Sequence, residues 1–292
     1  MRKTATMILC LVLAGATLVA QEAPFQAPPR IIDVHMHIWK PLAKDSADPL
    51  RTAFTRWRVK KIIASGPIRL ALQLRDVAPD VIIAGAVFTE SERLPPVKEL
   101  HSLFRSGQLG LLGEIDAQYA GVRLDAHWLE PYWATAEALD IPAAVHTGFG
   151  QPGTAYDRCC PLFRAALGNP LYLEEALVRH PKLRVYLMHA GWPFLAETKA
   201  MLQLYPQVYV DLASFAFNPG IPRAEFYGYL QELLRAGFGR RIMFGSGLSP
   251  EDWVQDISQA IRLIEEAPFL TAEQKDDIFY GNAARFFRLP VQ

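Results

Sequence analysis

Eight short apolar runs recur along the chain from Ile31 onward, and longer segments with helical spacing separate them. The runs are apolar throughout, as is typical of parallel strands that are covered on both faces. Eight such strands alternating with helices over about 260 residues predict a single-domain α/β fold, the (β/α)8 barrel. The predicted strands are 31–37, 59–65, 81–87, 111–116, 142–147, 183–188, 207–212 and 241–245.

The segments between these strands space their apolar residues as amphipathic helices do. An open, doubly wound sheet is the competing fold, but no Gly-rich phosphate loop follows the first strand. We therefore favour the barrel. The predicted helices are 49–58, 68–76, 95–106, 129–139, 171–179, 194–203, 223–236, 252–266 and 273–288.

The first twenty residues differ in kind from the rest. Arg2 and Lys3 precede an uncharged run over residues 7–20, which is the pattern of a signal peptide. We predict cleavage after Ala20 and export to the periplasm or the exterior, with an uncleaved anchor as the alternative. Residues 21–30 are a Pro-rich, flexible lead-in, and residues 31–292 form the barrel domain.

The charge balance limits the classes of binding partner that we expect, and the cysteines bear on the redox compartment. The chain has 30 basic and 30 acidic side chains, without the basic excess that a nucleic-acid partner requires. We expect a small-molecule substrate, no nucleic acid, and no membrane contact once the signal peptide is removed; a homo-oligomer is left open. The adjacent Cys159 and Cys160 are either a disulfide, as an oxidising compartment allows, or two reduced thiols.

Four histidines fall at or just beyond predicted strand ends. His35 and His37 are two residues apart on the first strand, so their side chains share a face. Two adjacent imidazoles repel each other when both are protonated, so a shared cation best explains the pair. His146 and His189 end the fifth and sixth strands. Because strand ends meet around one mouth in a closed barrel, these four imidazoles predict a zinc-like centre.

Other candidate residues surround this centre. Glu114 lies inside an apolar run, where an unpaired carboxylate is rare, so either a metal or the cationic Arg123 should satisfy it. Asp211 on the seventh strand could orient a histidine from behind. The connection after His146 is longer than a simple strand-to-helix turn and is interpreted as a substrate lid. We expect an apolar substrate wall from the aromatic side chains of Trp39, Phe149, Tyr156 and Trp192.

Taken together, these motifs resemble the amidohydrolase-related branch of metal-dependent hydrolases. The resemblance covers residues 31–289 and implies a (β/α)8 barrel with a divalent metal ion, usually zinc. It implies that His35, His37 and His146 are ligands and that His189 is a ligand or a catalytic base. The matching segments are Asp33-x-His35-x-His37, Pro142-x-x-x-His146-Thr-Gly148, His189-Ala-Gly-x-Pro193, Phe244-Gly245-Ser246 and residues 278–286.

One position departs from the family pattern. Family members have Phe-Gly-Ser-Asp at the end of the eighth strand, and Gly247 stands here in the place of that aspartate. The family's aspartate binds the metal and moves protons, and glycine does neither. Losing a general acid or base typically lowers the rate by a factor of about 10²–10⁴.

Two classes of function follow. The first is a metal-dependent hydrolase of a lactone, ester or amide, or alternatively a non-oxidative decarboxylase of an aromatic acid. In this class, His189 orients the attacking water or takes its proton. The second is a catalytically inactive barrel that binds a small ligand, which Gly247 would explain because a fold can outlast its chemistry.

Overall fold

The computed structural model of the protein describes residues 29–290, in which eight parallel strands form one sheet ordered β1 to β8. Each strand pairs with the next one in the chain, and the sheet curls into a nearly closed barrel, which confirms the predicted (β/α)8 fold. The strands are β1 Ile31–His37, β2 Val59–Gly66, β3 Ile82–Phe88, β4 Leu111–Ile115, β5 Ala143–Val145, β6 Val185–Leu187, β7 Val208–Asp211 and β8 Ile242–Met243.

Helices follow the strands and cover the outside of the barrel. No helix among residues 29–290 is both long enough and apolar enough to cross a bilayer. The predicted signal peptide lies outside the described residues. The helices are α1 Ala47–Arg56, α2 Ile68–Val77, α3 Val97–Arg105, α4 Glu130–Ala138, α5 Glu174–Arg179, α6 Leu195–Leu204, α7 Arg223–Arg235, α8 Pro250–Glu265, α9 Ala272–Asp276 and α10 Asn282–Phe286.

The barrel closes where β1 meets the chain that follows β8. The backbone N–H of Val34 donates to the carbonyl of Phe244 (3.0 Å), and that of Gly247 donates to the carbonyl of His35 (2.8 Å). Asp33 reinforces this seam, because its carboxylate accepts from the Ser246 backbone N–H (2.9 Å) and from the indole N–H of Trp253 on α8 (2.9 Å). The seam therefore fixes the end of β8 against the His-x-His segment of β1.

Two layers of buried side chains hold these elements together. The larger layer lies between the strands and the surrounding helices. The smaller one combines inward-facing strand residues such as Ile32, Ile63 and Tyr186 with Ala283 and Phe286 of α10. Apolar packing thus fills the barrel interior, as in other barrels of this type, and leaves polar side chains for the ends of the strands.

Candidate metal centre

His35 is the best anchored histidine of the site. Its Nδ1 lies 2.8 Å from Oδ2 of Asp211, and both side chains are completely buried. Oδ1 of Asp211 accepts the backbone N–H groups of His189 (2.8 Å) and Ala213 (3.0 Å). Although burial opposes it, the Asp211 carboxylate raises the pKa of His35. Asp211 therefore fixes the ring so that Nε2 is the nitrogen left for other partners.

His37 brings a second imidazole to that nitrogen, as the two-residue spacing predicted. The Nε2 atoms of His35 and His37 are 2.9 Å apart. Nδ1 of His37 is buried without a hydrogen-bond partner among residues 29–290 and lies 3.5 Å from Oε2 of Glu114. Burial lowers the pKa of His37 to about 4, although Glu114 opposes this. A bound cation would give these crowded nitrogen atoms a common partner, so the donor set fits a metal ion.

Glu114 is the carboxylate of the cluster and is only 2% exposed. Its Oε1 lies 2.7 Å from Nδ1 of His146, and its Oε2 lies 3.7 Å from Nε2 of His35. Burial acts to raise the pKa of Glu114, but the neighbouring His37 and His146 hold it far below its ordinary value. The histidines, and not Arg123, therefore satisfy this buried charge.

His189 completes the cluster from a sharp bend just after β6, where its φ is +56°. Its Nδ1 donates to the carbonyl of Ala213 (3.1 Å), which leaves the Nε2 lone pair for a ligand. Burial, together with His146 and His35, lowers its pKa to about 3. One ligand atom each from His35, Glu114 and His189 lies within 4.8 Å of the others, so this His/Glu/His group could hold a metal ion.

His146 lies beside the cluster, but both of its ring nitrogens face oxygen acceptors. Nδ1 donates to Glu114, and Nε2 donates to the Phe149 carbonyl at 3.0 Å. Burial opposes protonation, yet Asp116 and Glu114 raise the pKa of His146 to about 9. His146 could become the ligand expected from the sequence only by giving up one of these bonds.

A cavity of about 370 Å³ opens above the cluster at the C-terminal ends of the strands, where barrel enzymes place their active sites. Trp39 and Phe149, two of the predicted wall residues, line it. Trp192 packs behind Phe149, with ring centroids 5.5 Å apart, and its indole donates to Glu225 (3.1 Å). The loop after β5 contributes Gly150 and Gln151 to the wall.

Two residues expected at the site lie elsewhere: Tyr156 of the predicted substrate wall, and Arg123, the expected cation beside Glu114. Tyr156 is 94% exposed, because the 3-10 turn that carries it lies on the outer surface of the loop. Arg123 is exposed as well, since its guanidinium pairs with the nearer Asp125 (Nε to Oδ1, 2.9 Å) and covers the ring of Tyr172. The loop after β5, which carries Tyr156, also contains the Cys159–Cys160 disulfide.

The cavity is also lined by polar side chains that were not predicted from the sequence. Burial raises the pKa of Asp116 to about 8, although His146 opposes this, and its Oδ1 has no hydrogen-bond partner among the described residues. Asp116 follows Glu114 by two residues, the spacing of His35 and His37, so the sequence could have predicted that its side chain shares a face with Glu114. Tyr119, Gln151 and Ser214 carried no comparable sequence signal.

Gly247 lines the cavity with φ +75°, a backbone conformation that favours glycine. A Cβ atom added there would collide with the hydroxyl of Ser214. Ser214 itself has φ +67°, and its backbone N–H donates to the carbonyl of Ser246 (3.2 Å). The Ser214 hydroxyl thus occupies the space into which a side chain at position 247 would extend.

Comparisons with known proteins agree with this geometry. A family model described as Amidohydrolase matches residues 32–289. No curated protein matches the chain significantly. Among solved structures, an amidohydrolase from Burkholderia multivorans with bound zinc is 20% identical, with 89% of this chain and 99% of that chain covered and a TM-score of 0.59.

Two further structures share the fold at lower identity. A probable 2-pyrone-4,6-dicarboxylic acid hydrolase from Acinetobacter baumannii is 14% identical, with 89% of this chain and 99% of that chain covered and a TM-score of 0.64. A dihydroxybenzoic acid decarboxylase from a Polaromonas species, with bound manganese, is also 14% identical, with 90% and 98% covered and a TM-score of 0.61. At these identities the likeness establishes a common fold and no more.

Proposed function

Since the chain belongs to the amidohydrolase family, with a family match over residues 32–289, we propose that it is a metal-dependent hydrolase of a small organic lactone, ester or amide. The observation that carries this proposal is the convergence of His35, Glu114 and His189 beneath the cavity at the barrel mouth. These residues come from β1, β4 and the bend after β6, which are far apart in sequence, and a stable apolar core does not require their convergence.

The donor set indicates which residues would hold the metal. We assign His35, Glu114 and His189 as ligands and add His37, whose Nε2 adjoins that of His35. Imidazole with carboxylate suits zinc, and we propose zinc as the resident ion; manganese in a structure of similar fold makes it the second choice. When bound, a divalent cation polarises a carbonyl oxygen as a Lewis acid and makes water more acidic.

The other residues of the site act on these ligands or on the substrate. Asp211 holds His35 in one orientation, and His146 holds Glu114 through Oε1. Trp39 and Phe149 offer flat apolar surfaces on which the organic part of a substrate can pack. The chain thus supplies an oriented donor set and a partly apolar binding surface.

The role of His189 has a direct test. As a ligand, His189 is needed for metal binding, so His189→Gln should lower the metal content of the purified protein. If His189 is instead the base that takes a proton from water, the variant should keep stoichiometric metal and lose only turnover. His101→Gln, on the exposed face of α3, is the matched control and should change neither quantity.

The proposed reaction is tested with zinc-loaded protein on a panel of lactones, esters and amides. Hydrolysis is followed by acid release, and carbon dioxide release from hydroxybenzoic acids is measured in parallel. We expect acid release that His35→Ala abolishes and His101→Ala leaves intact. Carbon dioxide release alone would establish the decarboxylase instead. Stoichiometric metal without turnover on any substrate would favour the ligand-binding barrel.

A further inference from the structure

The cavity above the histidine cluster is lined by two acidic residues and by no long basic side chain of the described chain. Among the described residues that line it, none is a lysine or an arginine. The carboxyl groups of Glu114 and Asp116 both face it. Arg123, the cation expected from the sequence, is bound to Asp125 outside the cavity. The site therefore offers no ammonium or guanidinium group to a carboxylate on a substrate.

Asp116 is the carboxyl group in this cavity that still needs a partner. Its Oδ1 is buried, has no hydrogen-bond partner within residues 29–290, and lies 4.0 Å from Nδ1 of His146. The backbone N–H of Tyr119 bonds the same carboxyl group, which holds it at the end of β4. A buried acceptor left unsatisfied is costly, so a ligand that brings an N–H or O–H donor to Oδ1 gains free energy.

Aromatic side chains complete the recognition surface. Trp39 is half exposed and stacks on His37, with ring centroids 5.6 Å apart and planes 22° apart. Phe149 lies against His189, with centroids 4.9 Å apart. A flat organic group can therefore lie between these rings while its reacting group faces the histidines.

We propose that the substrate is uncharged away from its reacting group, presents an N–H or O–H donor to Asp116, and carries no carboxylate there. This inference rests on the proposed function, because it takes the reacting group to face the metal ligands. A carboxylate moved from water into this cavity would lose hydration and find no lysine or arginine to replace it, and both ring nitrogens of His146 already bond Glu114 and the Phe149 carbonyl. The site would thus differ from the similar folds whose names specify acid substrates.

The test uses three hydroxamates that present the same group to the metal. They are benzohydroxamate, its 3-carbamoyl derivative and its 3-carboxy derivative, each titrated calorimetrically into zinc-loaded protein. The carbamoyl and carboxy groups have nearly the same shape, so they differ mainly in charge and in N–H donors. We expect the carbamoyl compound to bind at least about tenfold more tightly than the carboxy compound.

Variants assign this preference to residues. Asp116→Asn keeps the shape but removes the carboxylate, and should reduce the ratio of the two affinities to about threefold or less. Asp125→Asn, whose carboxylate pairs outside the cavity, should leave the ratio unchanged. Gln151→Arg adds a guanidinium at the cavity wall and should reverse the order, whereas Gln203→Arg on α6 should not.

The outcomes separate the two proposals. If benzohydroxamate binds but the carboxy compound binds as tightly as the carbamoyl compound, the substrate inference is wrong and the metal centre stands. An unchanged ratio in Asp116→Asn overturns the assignment to Asp116. If none of the three hydroxamates binds to zinc-loaded protein, the proposed function fails, and the inference fails with it.

Discussion

Asp211 is the residue on which two of the site histidines depend. One of its oxygens fixes the ring of His35, and the other accepts the backbone N–H of His189 at the bend after β6. A carboxylate behind a ligating imidazole sets its tautomer and orientation and increases its basicity. The sequence indicated this role from an acid inside an apolar strand, but it could not indicate which histidine the carboxylate contacts.

Asp211→Asn should therefore weaken metal binding while the fold persists. The amide keeps the shape of the carboxylate but loses its charge, so we expect the affinity for zinc to fall by about 10–100-fold. Competition with a zinc-chelating dye measures this change. Asp256→Asn, on the surface of α8, is the control and should bind zinc like the unmodified protein. Equal affinities in both variants would show that Asp211 does not support the centre.

Gly247 and Ser214 act as a pair, so the family's aspartate cannot be restored by one substitution. Gly247→Asp would impose a strained backbone at φ +75° and a collision with the Ser214 hydroxyl. We expect a loss of about 1–3 kcal/mol in the free energy of unfolding and no gain in turnover. Denaturant unfolding and the hydrolysis assay measure these two quantities.

Two further variants identify the cause of that loss. Gly247→Ala carries the backbone strain and the collision without the charge, so it should be destabilised to a similar extent. Combining Ser214→Ala with Gly247→Asp removes the collision and should recover part of the stability. A stable, more active Gly247→Asp protein would mean that Ser214 yields easily and that the aspartate is the missing catalytic group.

At the level of elements, the sequence predicted β1 to β4 closely and overestimated the later strands. The predicted strand 142–147 is only Ala143–Val145 in the structure, and 183–188 is only Val185–Leu187. The chain leaves strand geometry at these points to place His146 and His189. Apolar periodicity reports burial, and residues in these bends are buried as well. Periodicity alone therefore could not separate strand from bend.

A histidine outside the site joins two of the outer helices. His180, which follows α5, lies 2.8 Å from Oε1 of Glu130 and 3.1 Å from Oε2 of Glu137, and both acids belong to α4. Burial acts to raise the pKa of each acid, but hydrogen bonds lower both pKa values overall. For Glu130 the main hydrogen bond comes from His180. For Glu137 the hydrogen bonds come from the Lys182 backbone and from His180. Hydrogen-bonded contacts of this kind connect neighbouring helices of the barrel.

His180→Gln should lower the free energy of unfolding by about 1–2 kcal/mol at neutral pH. A carboxyl whose pKa is lower in the folded state stabilises the fold above its unfolded pKa, here about 4.5, and this contribution disappears as the pH falls. The difference between variant and unmodified protein should therefore shrink below about pH 4.5. Denaturant unfolding at several pH values measures it, with His127→Gln as an exposed control. A constant difference down to pH 3 would contradict this account.

At the scale of the whole molecule, the fold could be predicted from the sequence because eight alternations of strand and helix are compatible with few alternative folds. The residues of the site could be predicted only in part. Strand order predicted that four histidines would meet, but hydrogen-bond partners decide which ring nitrogens are free, as the contrast between His146 and His189 shows. Asp116 was missed although it follows Glu114 at the spacing of the His35–His37 pair.

Export remains a proposal from the sequence. We expect the chain, produced with its own N-terminus in a bacterial host, to be recovered outside the cytoplasm with Gln21 as its first residue. Intact-mass measurement of the fractionated protein tests this expectation directly. Recovery of the chain from the cytoplasm or the membrane with residues 1–20 still attached would contradict it.

His35, His37, Glu114 and His189 are the proposed ligands of one divalent cation. Anomalous diffraction from crystals grown with zinc, collected at the zinc absorption edge, tests this assignment most directly. We expect one strong peak about 2.0–2.2 Å from Nε2 of His35, with His37, Glu114 and His189 completing the coordination. No peak at the barrel mouth, or a peak bound by other side chains, would contradict it.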